Sequence, residues 1–262
     1  MARNLKQLIF LAKQQNAEAI NELGYLYFKG DEIKQDHQKA VKYYERAANL
    51  GHPVAQYNLG LMYEKGLGVP NDIEKAVYYY TLAAEKNILQ AQYNLGVLYH
   101  FGQLLPKDLQ KAVHWYEKAA TANQPNAQHN LGCLYLFGEG VPKDEAYAIN
   151  LFKKAAEKSV NAAYRMLGAC YREGRGVSQD DREAVYWYEK AASAGDIESI
   201  FALGVFFSSG PDICRDIEKG ADLLGAVAEG GHQNARFLLE KLAKENAYAK
   251  SILDKLNKNG EE

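Results

Sequence analysis

Apolar positions along this chain fall at helical spacing, and the same phrase of them returns every 36 residues. One copy reads Ala91-Gln92-Tyr93-Asn94-Leu95-Gly96-Val97-Leu98-Tyr99. Its alanine recurs at Ala19, Ala55, Ala127, Ala163 and Ala235, with Ser199 as the one substitute. Leu-Gly recurs at 23/24, 59/60, 95/96, 131/132, 167/168 and 203/204. Ala, Leu, Gly and Tyr at relative positions 0, 4, 5 and 8 make one stripe of a helix of period 3.6, which predicts a first helix, helix A, in each copy. A glycine then follows in six copies (Gly30, Gly66, Gly102, Gly138, Gly174, Gly210), where a left-handed residue would close the helix. Three residues on comes an aliphatic (Ile33, Val69, Leu105, Val141, Val177, Ile213) expected to turn inward. Next stands an aspartate (Asp36, Asp72, Asp108, Asp144, Asp180, Asp216), the expected N-cap of a second helix, helix B. Helix B carries its own stripe, Ala40, Val41, Tyr44, Ala47 and Ala48, repeated as Ala112, Val113, Tyr116, Ala119 and Ala120.

A period held without insertion marks a stacked helical repeat, in which each unit buries its apolar face against its neighbours. The organisation this predicts is a half-repeat capping helix in 1–15, six repeats in 16–231, and a partial seventh repeat with a capping helix in 232–262. In the last of these, Asn246 stands where the closing glycine would be, and 247–256 reads as a short helix. Glycine within helix A costs about 0.5–1 kcal/mol relative to alanine. Its recurrence implies a close helix approach that a side chain would block. The tyrosines follow the same logic, since 11 of the 19 fall in three columns, 27/63/99/135/171, 44/80/116/188 and 43/79, read as packing positions.

Net charge changes the picture by exclusion. Thirty-one Lys and Arg against 33 Asp and Glu give −2, so no global field attracts nucleic acid or an anionic membrane. No apolar run is long enough for a membrane span, and none is expected to insert. The three cysteines, Cys133, Cys170 and Cys214, are odd in number and unevenly placed, against a disulfide framework and in favour of a reducing compartment. Without a recognisable signal peptide at the N-terminus, the expected location is cytoplasmic.

Candidate chemistry is sparse. Gly66-Leu67-Gly68-Val69-Pro70-Asn71 joins two helices and lacks the strand context of a phosphate loop, so it reads as a structural turn. The six histidines make no convincing ligand set, and Cys133 and Cys170 read as packed thiols. No catalytic residue, metal site or cofactor is predicted, and the chain is expected not to be an enzyme.

With these columns in place, the units resemble Sel1-like repeats, relatives of tetratricopeptide repeats with a longer loop between the two helices. The resemblance is carried by Ala-x-x-x-Leu-Gly-x-x-Tyr-x-x-Gly in helix A, by the Gly-x-Gly-Val loops at 66–69, 138–141 and 174–177, and by Asp-x-x-x-Ala-Val…Tyr…Ala-Ala in helix B. It implies an all-α, right-handed α-α superhelix (solenoid) with helix A lining a concave face. It also implies a scaffold or adaptor, often bacterial, that holds a partner protein or peptide in that groove without catalysis. An immunity or inhibitor protein gripping a toxin or effector enzyme is the alternative. A β-lactam-binding activity, as in the secreted cysteine-rich branch, is disfavoured because the paired Cys-x7-Cys of that branch is missing.

By helical phase, the groove residues include Tyr57, Asn58, Tyr93, Asn94, His129, Asn130 and Arg165, with His100 and Arg172 further along the same helices. Asn58, Asn94 and Asn130 read first as internal amides bonding a neighbouring helix, or else as a ladder facing a peptide backbone. Arg165 and Arg172 share a stripe, and with His100 and His129 they suggest a cationic wall for an acidic partner group. Glu64 or Glu173 would neutralise it if they lie close enough.

Overall fold

The computed structural model describes residues 5–210 and 215–259. Every described element is an α-helix. A single helix, α1 (Leu5–Lys13), comes first. Hairpins of helix A and helix B follow: α2 (Ala17–Lys29) with α3 (His37–Asn49), α4 (Pro53–Lys65) with α5 (Ile73–Glu85), and α6 (Leu89–Phe101) with α7 (Leu109–Thr121). After these come α8 (Pro125–Phe137) with α9 (Glu145–Glu157), α10 (Asn161–Glu173) with α11 (Asp181–Ser193), and α12 (Ile197–Ser209) with α13 (Ile217–Glu229). The described chain closes on α14 (Gln233–Ala243) and α15 (Ala247–Asn259).

Contacts divide the chain into two compact units, one of residues up to 131 with 139–141, the other of 132–138 with 142 onward. In the first unit, α1 to α7 each pack on the next in sequence; in the second, α9 to α15 do the same, and α13 also meets α15.

The expected caps are present, and their geometry explains the constant period. Asp36, Asp72 and Asp108 hold extended backbone and accept the N–H three residues on, at 2.9–3.0 Å; Asp144, Asp180 and Asp216 do so in the second unit, at 2.8–3.1 Å. Each such aspartate also donates its own N–H back to helix A, as Asp72 does to the Tyr63 carbonyl at 3.0 Å. The loop is thus tied at both ends. Second glycines of the Gly-x-Gly-Val loops approach the preceding repeat. At Gly68, with φ +74°, a Cβ would lie 2.5 Å from the carbonyl carbon of His37. The following aliphatics are half-buried as expected, Ile213 and Cys214 lying outside the described residues.

Glycines within helix A face the ring column of helix B. A Cβ would come within 2.7 Å of Tyr80 at Gly60, 2.7 Å of Phe152 at Gly132, and 2.8 Å of Tyr188 at Gly168. The first unit's core therefore centres on Tyr44, Tyr80 and Tyr116, all fully buried. Buried glutamines join hairpins to one another: Gln56 and Gln92 donate to the carbonyls of Ala48 and Ala84 at 3.4 and 3.0 Å, and Gln128 to Ala120 at 3.2 Å.

Two features depart from the sequence expectation, and a third lay outside it. Gly210 ends α12 with φ −76°, so it is not a left-handed closure. Asn246 does not close α14; it caps α15, accepting the Ala249 N–H at 2.9 Å, and α15 runs on to Asn259. Turns between one repeat and the next all hold a left-handed residue, Gln15, Gly51, Asn87, Asn123, Ser159, Gly195 and Gly231, although only three are glycine.

Candidate functional site

The buried tyrosines of helix B do more than pack, because their hydroxyls emerge on the face of helix A. The Tyr80 ring fills the gap left by Gly60, and its hydroxyl donates to Glu64 Oε2 at 2.6 Å. Glu64 also takes Lys65 at 2.7 Å on its other oxygen. Burial first, then Glu64, pushes the Tyr80 hydroxyl far above the ordinary phenol range, with Asn94 opposing as a donor. Tyr57 lies tilted over Tyr80 with ring centres 5.8 Å apart, and burial raises the pKa of its hydroxyl, with Asn94 opposing.

One repeat on, the arrangement returns with a different acceptor. Tyr93 tilts over Tyr116 at 6.1 Å, and Asn130 donates to the Tyr116 hydroxyl at 3.1 Å. His100 takes the place of Glu64: Nδ1 is 3.4 Å from that hydroxyl, and its ring stacks on Phe101 at 4.5 Å. Burial, and secondarily Lys107, holds the imidazole below its ordinary 6.5. In the second unit, Arg172 lies by Tyr188, whereas Leu136 meets Phe152, which has no hydroxyl. At Glu64, His100 and Arg172, nine residues after the repeat alanine, a polar side chain thus accompanies a tyrosine of helix B, whereas in the first repeat Phe28 holds that place beside Tyr44. That pairing was visible in the sequence columns, but only the packing of the two helices gives it meaning.

The structure places the predicted residues as follows. Tyr57, Asn58, Tyr93, Asn94, His100, His129 and Asn130 are half-buried in the first unit. Asn130 bonds the Tyr116 hydroxyl of the preceding helix B, which is the internal role expected first, and Asn94 acts to lower the pKa of the Tyr80 hydroxyl. Asn58 lines a 60 Å³ cavity with Tyr25, Phe28, Tyr44, Leu61 and Met62. In the second unit, Arg165 is half-buried with Nε 3.5 Å from Asp196, and exposed Arg172 pairs with Glu173 at 2.9 Å. Each arginine therefore has a carboxylate beside it, while Glu64 is engaged by Lys65 and Tyr80. Cys170 is buried, which pushes its thiol up to about 11 and makes it a poor nucleophile. Among the described residues, no three His, Cys, Asp or Glu side chains group as a metal site, and no helix is long and apolar enough to cross a membrane.

Sequence reading missed the N-cap column of helix A. His52 Nδ1 accepts the Ala55 N–H at 3.2 Å while Nε2 meets Glu18 at 2.9 Å. His232 repeats this with Ala235 and, at 3.7 Å, Glu198.

The Sel1 repeat matches six consecutive segments, residues 17–52, 53–88, 89–124, 125–160, 161–196 and 197–232. The chain belongs to the Sel1 repeat family. Sel1 repeats commonly mediate protein–protein interaction, and scaffolds built from them are generally non-catalytic. The fold of this Sel1 repeat protein is similar to that of a protective antigen of uropathogenic Escherichia coli strains displaying an SLR fold. The two share 35% identity with a TM-score of 0.86, over 99% of this chain and 57% of the antigen. The chain thus spans little more than half that antigen's length. A Sel1 repeat protein from Oxalobacter formigenes is similar at 31% identity and a TM-score of 0.70, over 87% of this chain and 100% of that one. A looser likeness, to an immunity protein from Pseudomonas aeruginosa (23% identity, TM-score 0.45, 81% of each chain), carries no functional argument. No curated protein matches the chain.

Proposed function

We propose that this chain is a non-catalytic interaction module that takes a partner protein or peptide on the helix A face of its repeats. The observation that supports this most directly is the pair Tyr57 and Tyr93. Their rings are held half-exposed over the buried Tyr80 and Tyr116, and Asn130 bonds the Tyr116 hydroxyl beside Tyr93. Rigid rings with a polar tip supply contact area at low entropic cost, which is why tyrosine is enriched among residues that dominate interfaces. Arg165 and Arg172, each beside a carboxylate, would tune charge and contribute less, as exposed pairs do.

The test is capture of the partner from the native host with the full chain, followed by affinity measurement on variants. Tyr93→Ala is expected to weaken the complex about tenfold or more, the scale of an interface anchor. Arg165→Glu with Arg172→Glu is expected to shift affinity by less. Retention of full affinity in Tyr93→Ala, with loss in the arginine variant, would replace the aromatic anchor by the charged wall.

A further inference from the structure

Away from the helix A face, the first hairpin carries a pocket of about 390 Å³ lined by Tyr27, Lys39, Lys42, Tyr43 and Arg46. Tyr27 and Tyr43 stack with ring centres 5.5 Å apart and planes 10° apart. Lys39 Nζ stands 5.3 Å from the Tyr27 ring centre, and the Arg46 guanidinium 5.7 Å from that of Tyr43. Lys39 is shared with Asp36 at 3.3 Å, and Arg46 Nη2 donates to the Ala12 carbonyl at 3.1 Å. Among the described residues, the Lys42 ammonium has no ion-pair partner and the Tyr27 hydroxyl no hydrogen bond, and no carboxylate lines the pocket.

The next repeat shows the same pocket filled. Tyr63 and Tyr79 stack at 5.8 Å and 5°, Lys75 stands 5.1 Å over Tyr63, and the Tyr63 hydroxyl donates to Glu45 Oε1 at 3.3 Å. Glu45 comes from α3, which packs on α4 as α1 packs on α2. Thirty-six residues before Glu45 the chain has Ile9, exposed at 41%, and α1 contains no acidic residue at all. The first hairpin therefore repeats the aromatic pair and its lysine, adds Lys42 and Arg46, and lacks the carboxylate.

We propose that this pocket receives a glutamate or aspartate side chain of an acidic segment on a partner protein. The carboxylate would take the place that Glu45 holds in the next repeat, accepting from the Tyr27 hydroxyl and pairing with Lys42 and Arg46. Charge-assisted bonds of this kind are the stronger class, and two cations with a phenol favour a carboxylate over a neutral group. This surface is separate from the helix A face, so a partner could engage either or both.

The test uses the full chain and fluorescein-labelled hexaglutamate, followed by fluorescence polarisation at about 0.15 M salt, where charges more than about 8 Å apart are largely screened. Saturable binding is expected, weakened at least about tenfold in Lys42→Glu, the scale set by losing a charge-assisted contact. Ile9→Glu is the sharper variant, because it supplies the carboxylate from within α1 at an exposed position and should abolish binding while leaving the circular dichroism unchanged. Lys154→Glu, on an exposed position of α9, should change affinity less than about twofold if long-range charge is screened. Absence of saturable binding, equal loss in Lys154→Glu, or undiminished binding in Ile9→Glu would each overturn the proposal. Displacement of the peptide by equimolar inorganic phosphate would also overturn it, showing a general anion site.

Discussion

Replacing Gly60 by alanine tests the physical basis of the repeat most directly. Taken alone, the change should stabilise α4 by about 0.5–1 kcal/mol, because glycine is the costlier residue within a helix. Tertiary packing reverses the sign. The added Cβ would stand 2.7 and 2.9 Å from Cδ1 and Cε1 of Tyr80 and 3.2 Å from the Ala76 carbonyl oxygen. Tyr80 is fully buried, so its ring can withdraw only by carrying α5 away from α4. Overpacking of this kind costs about 1–3 kcal/mol. Withdrawal also stretches the 2.6 Å bond from the Tyr80 hydroxyl to Glu64, a contact to a charged group worth about 1.5–3 kcal/mol if lost entirely. Glu64 is a flexible side chain and would follow in part, so the net expectation is destabilisation of about 1–3 kcal/mol. Gly204→Ala is the internal comparison, because its Cβ would meet its neighbour less closely, the Leu224 side chain at 3.0 Å and the Leu224 backbone nitrogen at 3.3 Å. Its cost should be smaller and could vanish against the helix-propensity gain. Repeat arrays open piecewise, so the informative assay is amide hydrogen exchange resolved by helix, supported by thermal melting. Faster exchange in α4 and α5 is expected for Gly60→Ala. Higher stability in that variant, or a cost no larger than that of Gly204→Ala, would refute the idea that the glycine column exists to admit the ring.

Two further outcomes follow from backbone and charge. Ser159 holds φ +60° at a turn where the matching Gly195 and Gly231 have open space around them. Ser159→Gly should therefore raise stability by about 0.5–1 kcal/mol and Gly195→Ser lower it by a similar amount, read by urea denaturation. Folding lowers the affinity of His100 for a proton, so the unfolded chain binds that proton more readily. Its contribution is fully present above the ordinary value of 6.5 and is lost as pH falls through the lower folded value. Wild type should thus lose more stability than His100→Gln between pH 7 and pH 5, and parallel pH profiles would contradict this.

The periodic pattern by itself determined a large part of this protein. Apolar spacing, the capping aspartates and the closing glycines are local signals, each acting within a few residues of itself, so helix order and most boundaries follow from them. Local signals failed where the competing interaction came from elsewhere. Asn246 matches the closing-glycine position by count, yet it caps the helix after it because α14 is short. Gln15 and Ser159 carry no mark of a left-handed backbone, since the turn geometry is imposed by the helices on either side.

The candidate site was less legible for the same reason. Tyr57, Tyr93 and the asparagine row could be assigned to a face by helical phase alone. Tyr80 and Tyr116 read as core, and nothing along the chain showed that each ring passes beside a glycine to offer its hydroxyl to Glu64 or to His100. The Tyr27–Tyr43 pocket was hidden in a column whose members look alike, and it is distinguished by Lys42 and Arg46 together with Ile9 standing in α1 where Glu45 stands in α3. Periodicity determines which residues share an environment. Tertiary packing decides which of them are satisfied by a neighbour and which are left to meet a partner, because hydrogen bonds and ion pairs depend on distances between helices that no spacing within one helix contains.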